Sequence, residues 1–195
     1  MTSSPLISKM NYQELWPTVI CQWTNVLTNE DFESLSDNVK GDKYQVQDTA
    51  LYDAIGHCTN EMFSFYDFKE DYEAEILQVW SNVLTSGQSH DYHTHPNSMY
   101  SGIFYLTEGV PTTFIDPRPQ ANTYQLRTNT TKPSRFLSQL SHVPTFPNSM
   151  VIFPSWLGHW VTSAGVGDAE RKTISFNLYI RGELGEERSL TYLKV

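Results

Sequence analysis

Apolar positions in the first third of the chain recur at helical spacing. Thr28 precedes a run over 29–40 in which Phe32, Leu35 and Val39 share one stripe. Asp31 stands three residues after Thr28, as in a capping box, and Gly41 occupies a C-cap position. A second helix fits 48–67, where Leu51, Ile55, Cys58, Met62 and Phe65 are spaced four, three, four and three. Both helices are amphipathic, so each needs a partner surface to cover. Beyond Glu73 the period falls to two or the apolar runs become short. Strands are expected at 75–83, 99–106, 112–116, 143–146, 150–153, 159–162 and 172–180, separated by Gly, Pro, Asn and Ser clusters. The stretch 116–141 is long, polar and Pro-containing, with one short strand at 124–127, and reads as a binding loop or a plain surface excursion.

Helices followed by at least seven short strands predict a mostly β fold. The expected architecture is a double-stranded β-helix, or jelly roll, with the N-terminal helices packed on one sheet. The expected organisation is one domain over 1–195, mainly helical over 1–70 and β over 73–195. A length of 195 residues agrees with one domain and a sizeable core.

The charge balance narrows the partners. Thirteen Lys and Arg against 22 Asp and Glu leave a net charge of -9, which argues against a dedicated nucleic-acid binder. No apolar run reaches the roughly 18 residues of a membrane span, and residues 1–10 carry no apolar block of a signal peptide. Two cysteines, Cys21 and Cys58, make no disulfide framework and suit a reducing cytoplasm. Strand edges and five Trp residues make a homodimer possible.

The candidate chemistry lies in the histidines. His90, His93 and His95 fall within six residues, and His159 opens a later strand. On a strand, positions i and i+2 point to one face, so His93 and His95 could aim at one metal. All three then stand at strand starts, and a set of His93, His95 and His159 leaves coordination positions open. A buried structural histidine is the plain alternative for each. The chain has no Cys-x-x-Cys, His-Glu-x-x-His, Gly-x-Ser-x-Gly or Gly-rich phosphate loop.

Four segments in order, HTHPNSMYSGIFYL at 93–106, IDPR at 115–118, FPSWLGHWV at 153–161 and RKTISFN at 171–177, carry a resemblance. Over 75–180 the chain resembles the iron(II)/2-oxoglutarate oxygenases of phages and bacteria, in the prolyl-hydroxylase-like superfamily. The resemblance implies a jelly roll, Fe(II) as cofactor, 2-oxoglutarate as cosubstrate and hydroxylation of an unidentified primary substrate. It implies His93 as first ligand, His159 as distal ligand and Arg171 as the grip on the far carboxylate of 2-oxoglutarate. Tyr105 falls where the pattern has a tyrosine touching that carboxylate. Asn82 and Asn177, polar residues in apolar strands, are further cosubstrate-binding candidates. The sequence departs from the pattern where His95 replaces the metal Asp. Either His93, His95 and His159 form an all-His set, or His95 binds first and Asp116 supplies the carboxylate.

Residues 87–95 also resemble the opening of a cupin motif, although Met99 and Tyr100 occupy the place of its Glu. Three functions stay open on the sequence: the dioxygenase, a cupin-like metalloenzyme without 2-oxoglutarate, and a non-enzymatic phage jelly-roll protein. For a phage-encoded chain the compartment would be the host cytoplasm.

Overall fold

A computed structural model describes residues 14, 17–68, 72–118, 131, 138–163 and 170–195. The expected strand at 124–127 lies outside the described residues. Helix α1 spans Asn29–Asn38, and the Thr28 hydroxyl accepts from the Asp31 N–H at 3.2 Å, as the capping pattern anticipates. It ends two residues before the expected 40, with Val39 extended. From there the backbone bonds to a strand instead of to the helix: Lys43 N–H donates to Ser81 O, Ser81 N–H to Tyr44 O and Val46 N–H to Val79 O. Helix α2 spans Thr49–Phe65, with Asp48 capping the Leu51 N–H at 2.9 Å. Leu51, Ile55, Cys58 and Met62 are buried as the stripe requires, but Phe65 is 66% exposed. The chain turns at Asp67, whose φ is +53°, and brings Phe68 against Phe63. Phe63 therefore takes the interior place that spacing assigns to Phe65.

Eleven strands follow or flank these helices among the described residues: β1 Cys21–Thr24, β2 Glu73–Leu84, β3 His90–His93, β4 Tyr100–Tyr105, β5 Thr112–Ile115, β6 Leu140–Val143, β7 Ser149–Pro154, β8 His159–Val161, β9 Arg171–Arg181, β10 Glu183–Leu184 and β11 Leu193–Lys194. Five form an antiparallel sheet in the order β1-β7-β4-β9-β2, and four form a smaller one in the order β3-β8-β5-β6. Strands β10 and β11 form a separate hairpin. The protein is thus mostly β, with two helices and antiparallel sheets in a jelly-roll arrangement.

The expected strand at 143–146 is a correction. Strand β6 ends at Val143, which pairs with Thr112, because Pro144 has no N–H for the ladder. Strands β1, β3, β10 and β11 are too short for a period to show.

Strand β9 explains how the core is divided. Its even positions Ile174, Phe176, Leu178 and Ile180 are buried in one apolar cluster with Phe104, Met150, Ile152 and the helix residues Leu35, Leu51, Ile55 and Met62. Its odd positions Arg171, Thr173, Ser175 and Asn177 are polar, and all four are buried. A second cluster joins Ile103, Tyr105, Val151 and Phe153 of the large sheet to Phe114 and Val143 of the small one. The polar side of β9 therefore faces the space between the sheets, beside this second core.

Candidate metal centre

Strand pairing brings two of the histidines together. His93, the last residue of β3, stands opposite His159, the first residue of β8, so both rings leave the sheet on one face. His95 differs from the expectation. It lies beyond the end of β3, in a non-strand link to β4, so a shared strand face does not place it. Of His93, His95 and His159, His159 alone opens a strand. The three ring centroids are 4.3, 5.1 and 5.2 Å apart, and one ring nitrogen from each residue lies within 4.8 Å of the others.

The remaining ring atoms fix how these nitrogens can be used. His93 Nδ1 is 2.7 Å from Asp91 O, and His159 Nδ1 is 2.9 Å from Leu157 O. A carbonyl only accepts, so each Nδ1 carries the proton and each Nε2 is free to ligate. His95 Nε2 and His159 Nε2 are 3.3 Å apart. Two nitrogens bound to one ion at about 2.1 Å, at angles between octahedral and tetrahedral, stand roughly 3.0–3.4 Å apart. Burial, and after it the neighbouring His93, holds His95 down at about 4. Burial also pushes His159 down to about 4, against the bond to Leu157 O, which works the other way. Neutral imidazoles are the ligating form. The donor set fits a divalent ion.

A cavity of about 380 Å3 opens beside the three rings, lined also by Trp80, Asn82, His90, Thr112, Arg171 and Ser175. Arg171 is 2% exposed. Its Nε donates to Val110 O at 2.9 Å and an Nη to Thr112 Oγ1 at 3.1 Å. Both acceptors are neutral, and among the described residues no carboxylate is paired with it. Burial depresses its pKa. A buried guanidinium without a counter-charge is costly, and an anionic ligand in the cavity would offset that cost. An ion pair with Asp168 or Glu170 is the plain alternative for Arg171; Glu170 meets Lys172, and Asp168 lies outside the described residues.

The other candidates divide. Asn82 lines the cavity and donates to Ser175 Oγ at 2.8 Å. Tyr105 is fully buried, its hydroxyl 3.0 Å from Thr112 Oγ1 and its ring centroid 5.7 Å from the Arg171 guanidinium carbon. It does not line the cavity and reaches it through Thr112 and Arg171, which do. Asn177 also stands behind the lining, where it accepts from Ser101 Oγ at 2.9 Å. Asp116 is turned to Arg118, which holds its carboxyl below the usual range, and it does not line the cavity. Thr112 and Trp80 escape a reading of the sequence, and His90, seen there only as part of the histidine cluster, is found in the cavity wall. Thr112 becomes visible only once β5 is placed beside Arg171, and Trp80 only once its ring is seen 6.0 Å from that of His95.

Comparison with known proteins agrees with this geometry. The family model described as "Putative 2OG-Fe(II) oxygenase" matches residues 78–177, just over half of the chain. No curated protein sequence matches. Among solved structures, a Pseudomonas putida prolyl-4-hydroxylase is similar at 14% identity and a TM-score of 0.53, over 85% of this chain and 94% of its own. HygX of Streptomyces hygroscopicus, with nickel and 2-oxoglutarate bound, is similar at 12% identity and a TM-score of 0.56, over 83% of this chain and 82% of its own. The viral collagen prolyl hydroxylase of Paramecium Bursaria Chlorella virus-1, as its 2-oxoglutarate complex, shares 11% identity at a TM-score of 0.51, over 82% of this chain and 94% of its own. At such identities these structures establish the fold, and the family match establishes the chemistry. No helix among the described residues is long and apolar enough to cross a membrane. The chain belongs to the 2OG-Fe(II) oxygenase family and is an Fe(II)- and 2-oxoglutarate-dependent dioxygenase.

Proposed function

We propose that His93, His95 and His159 hold the iron, that Arg171 grips the far carboxylate of 2-oxoglutarate, and that the reaction is hydroxylation of a C–H bond. The observation that carries this reading is the pairing, in one cavity, of three convergent imidazoles with a buried arginine that has no counter-charge among the described residues. When bound, iron(II) supplies the activation of O2 that a side chain cannot. The chain's own residues bind and orient. The imidazoles offer neutral nitrogens. Arg171, braced by Val110 O and Thr112 Oγ1, keeps further N–H donors for a carboxylate. Tyr105 steadies Thr112 from behind. Asn82 and Ser175 add neutral hydrogen-bonding groups to the wall. The all-His reading is preferred to one with Asp116 because that carboxylate is engaged by Arg118.

The same reading takes the chain as one domain over 1–195, with α1 and α2 covering the outer face of the large sheet. The shared cluster of Leu35, Leu51 and Ile55 with Phe104 and Ile174 supports it. Free thiols at Cys21 and Cys58 suit a cytoplasmic setting.

Anaerobic titration with Fe(II) and then 2-oxoglutarate tests the site, followed by the visible charge-transfer band of the chelated cosubstrate. The band is expected in the wild type and absent in His159→Ala. Arg171→Ala should need roughly 10- to 100-fold more 2-oxoglutarate, the worth of charge-assisted hydrogen bonds. Iron binding with no band, or an Arg171→Ala titration equal to wild type, rejects the assignment.

A further inference from the structure

Among the described residues the cavity has a closed floor and an open mouth. Its floor, Ile103, Thr112, Val161, Arg171 and Thr173, is buried and comes from β4, β5, β8 and β9, each of which has a paired strand on both sides. Strands β2 and β3 are the edges of the two sheets. They contribute Trp80 and His90, which are half-buried, and the exposed Asp91 beside them. Exposure therefore rises from the inner strands toward these two edges, and the mouth runs between β2 and β3.

Each edge turns a ring into that mouth. His90 pairs with Val161 and His93 with His159, so three steps along β3 match two along β8. In a regular strand, residues three apart face opposite ways. The extra residue makes a bulge, a device that re-aims a side chain. It brings His90 to the side of His93, with ring centroids 6.5 Å apart. Trp80 is placed by plain alternation opposite Ser175, and its ring lies 6.0 Å from that of His95. Neither ring is committed to the fold by a hydrogen bond. The Trp80 Nε1–H and the His90 ring nitrogens have no partner among the described residues, and they are not sealed from solvent. Among the lining residues only Arg171 and Asp91 carry a fixed charge. Arg171 serves the cosubstrate on the reading above, so no second cation in the described wall is left to receive an anionic substrate, which would shed its water uncompensated. The volume of about 380 Å3 is small for a ligand site and must also take the cosubstrate.

We propose that Trp80 and His90 are the specificity-determining contacts for the primary substrate, which enters between β2 and β3 and presents a small, uncharged, planar ring to them. An aromatic face beside an indole and an imidazole gains from offset or edge packing as well as from burial. This rests on the metal-ligand reading above, because the three histidines make the inner end of the path the reacting end.

The test uses the full chain loaded with Co(II) and 2-oxoglutarate without air, and three ring probes of one shape: benzamide, benzoate and benzylammonium. Saturation-transfer NMR reads their binding, and paramagnetic broadening against a Zn(II) control reads whether the bound ring lies near the metal. Benzamide is expected to bind, to be broadened by Co(II), and to bind about threefold or more tightly than either charged probe. Trp80→Leu and His90→Ala should each weaken it about two- to tenfold, the worth of an aromatic pair. Trp80→Phe, which keeps a ring, should stay within about twofold of wild type. Trp156→Leu, at an exposed indole outside the cavity, should change nothing. If the variants do not fold, contacts in the Zn(II)-loaded wild type decide: NOEs from Trp80 and His90 to benzamide support the proposal, and NOEs confined to other residues reject it. Tighter binding of a charged probe overturns the substrate class. Absence of benzamide binding, or binding untouched by Trp80→Leu and His90→Ala, overturns the proposal alone. Absence of Co(II) binding in the wild type overturns the metal site and this proposal with it.

Discussion

Burial leaves His95 and His159 uncharged at neutral pH, and this sets how the metal-free protein responds to acid. Both rings titrate at about 4 when folded, against 6.5 for a free ring. Between those values the unfolded chain takes up protons that the native rings refuse. The stability from the neutral rings is therefore present above pH 6.5 and is lost as pH falls toward 4. Denaturant midpoints of metal-free protein should fall steadily from pH 7 to pH 4.5, and His159→Ala should flatten the slope. A midpoint constant over that range would contradict it. His93, His159 and Arg171, which line one cavity, stand out as candidates in the sequence because a metal ligand and a carboxylate grip would demand such chemical groups. Thr112 was not, since a threonine on a strand has no distinguishing pattern until Arg171 and Tyr105 are seen to share its hydroxyl.

Among the elements, β9 carries the most information. Its alternation sends Ile174, Phe176 and Leu178 into the apolar cluster and Arg171, Thr173, Ser175 and Asn177 the other way, so one strand builds a core and a cavity wall. That alternation is present in the sequence and predicted the strand to within a residue at either end. Strand β3 was not legible, because four residues, HDYH, with an irregular register between His90 and His93 show no period. Strand β4 crosses β9 at Gly102, opposite Phe176. A Cβ at Gly102 would overlap the Phe176 ring. Phe176 is fully buried and has little room to retreat. Gly102→Ala should cost about 1–3 kcal/mol, as overpacking of a core does. Unfolding in denaturant measures it, and a variant as stable as wild type would show that the strands can separate.

The whole molecule places the candidate metal site where the two sheets meet. The cavity takes Trp80, Asn82, Arg171 and Ser175 from the large sheet and His93, Thr112 and His159 from the small one. Metal binding should therefore tie the sheets together and stabilise the entire fold. An ion at 100 times its dissociation constant adds about 2.7 kcal/mol by mass action. Thermal unfolding with Co(II) should shift upward in wild type and stay unmoved in His159→Ala; an equal shift in both would place the ion elsewhere. The sequence by itself determined the succession of two helices and then short strands, the β class and the approximate place of β4, β7, β8 and β9, and it singled out the three histidines and Arg171 as candidates that the fold brings to one cavity. These follow from side-chain spacing and functional-group chemistry, which are local. Tertiary structure alone decided that β6 stops before Pro144, that Phe63 replaces Phe65 in the core, that Asp116 turns to Arg118, and that His95, outside any strand, is bonded through its backbone to Ser155 and Ser98. Each of these depends on register and on partners far away in the chain, and no local period encodes them.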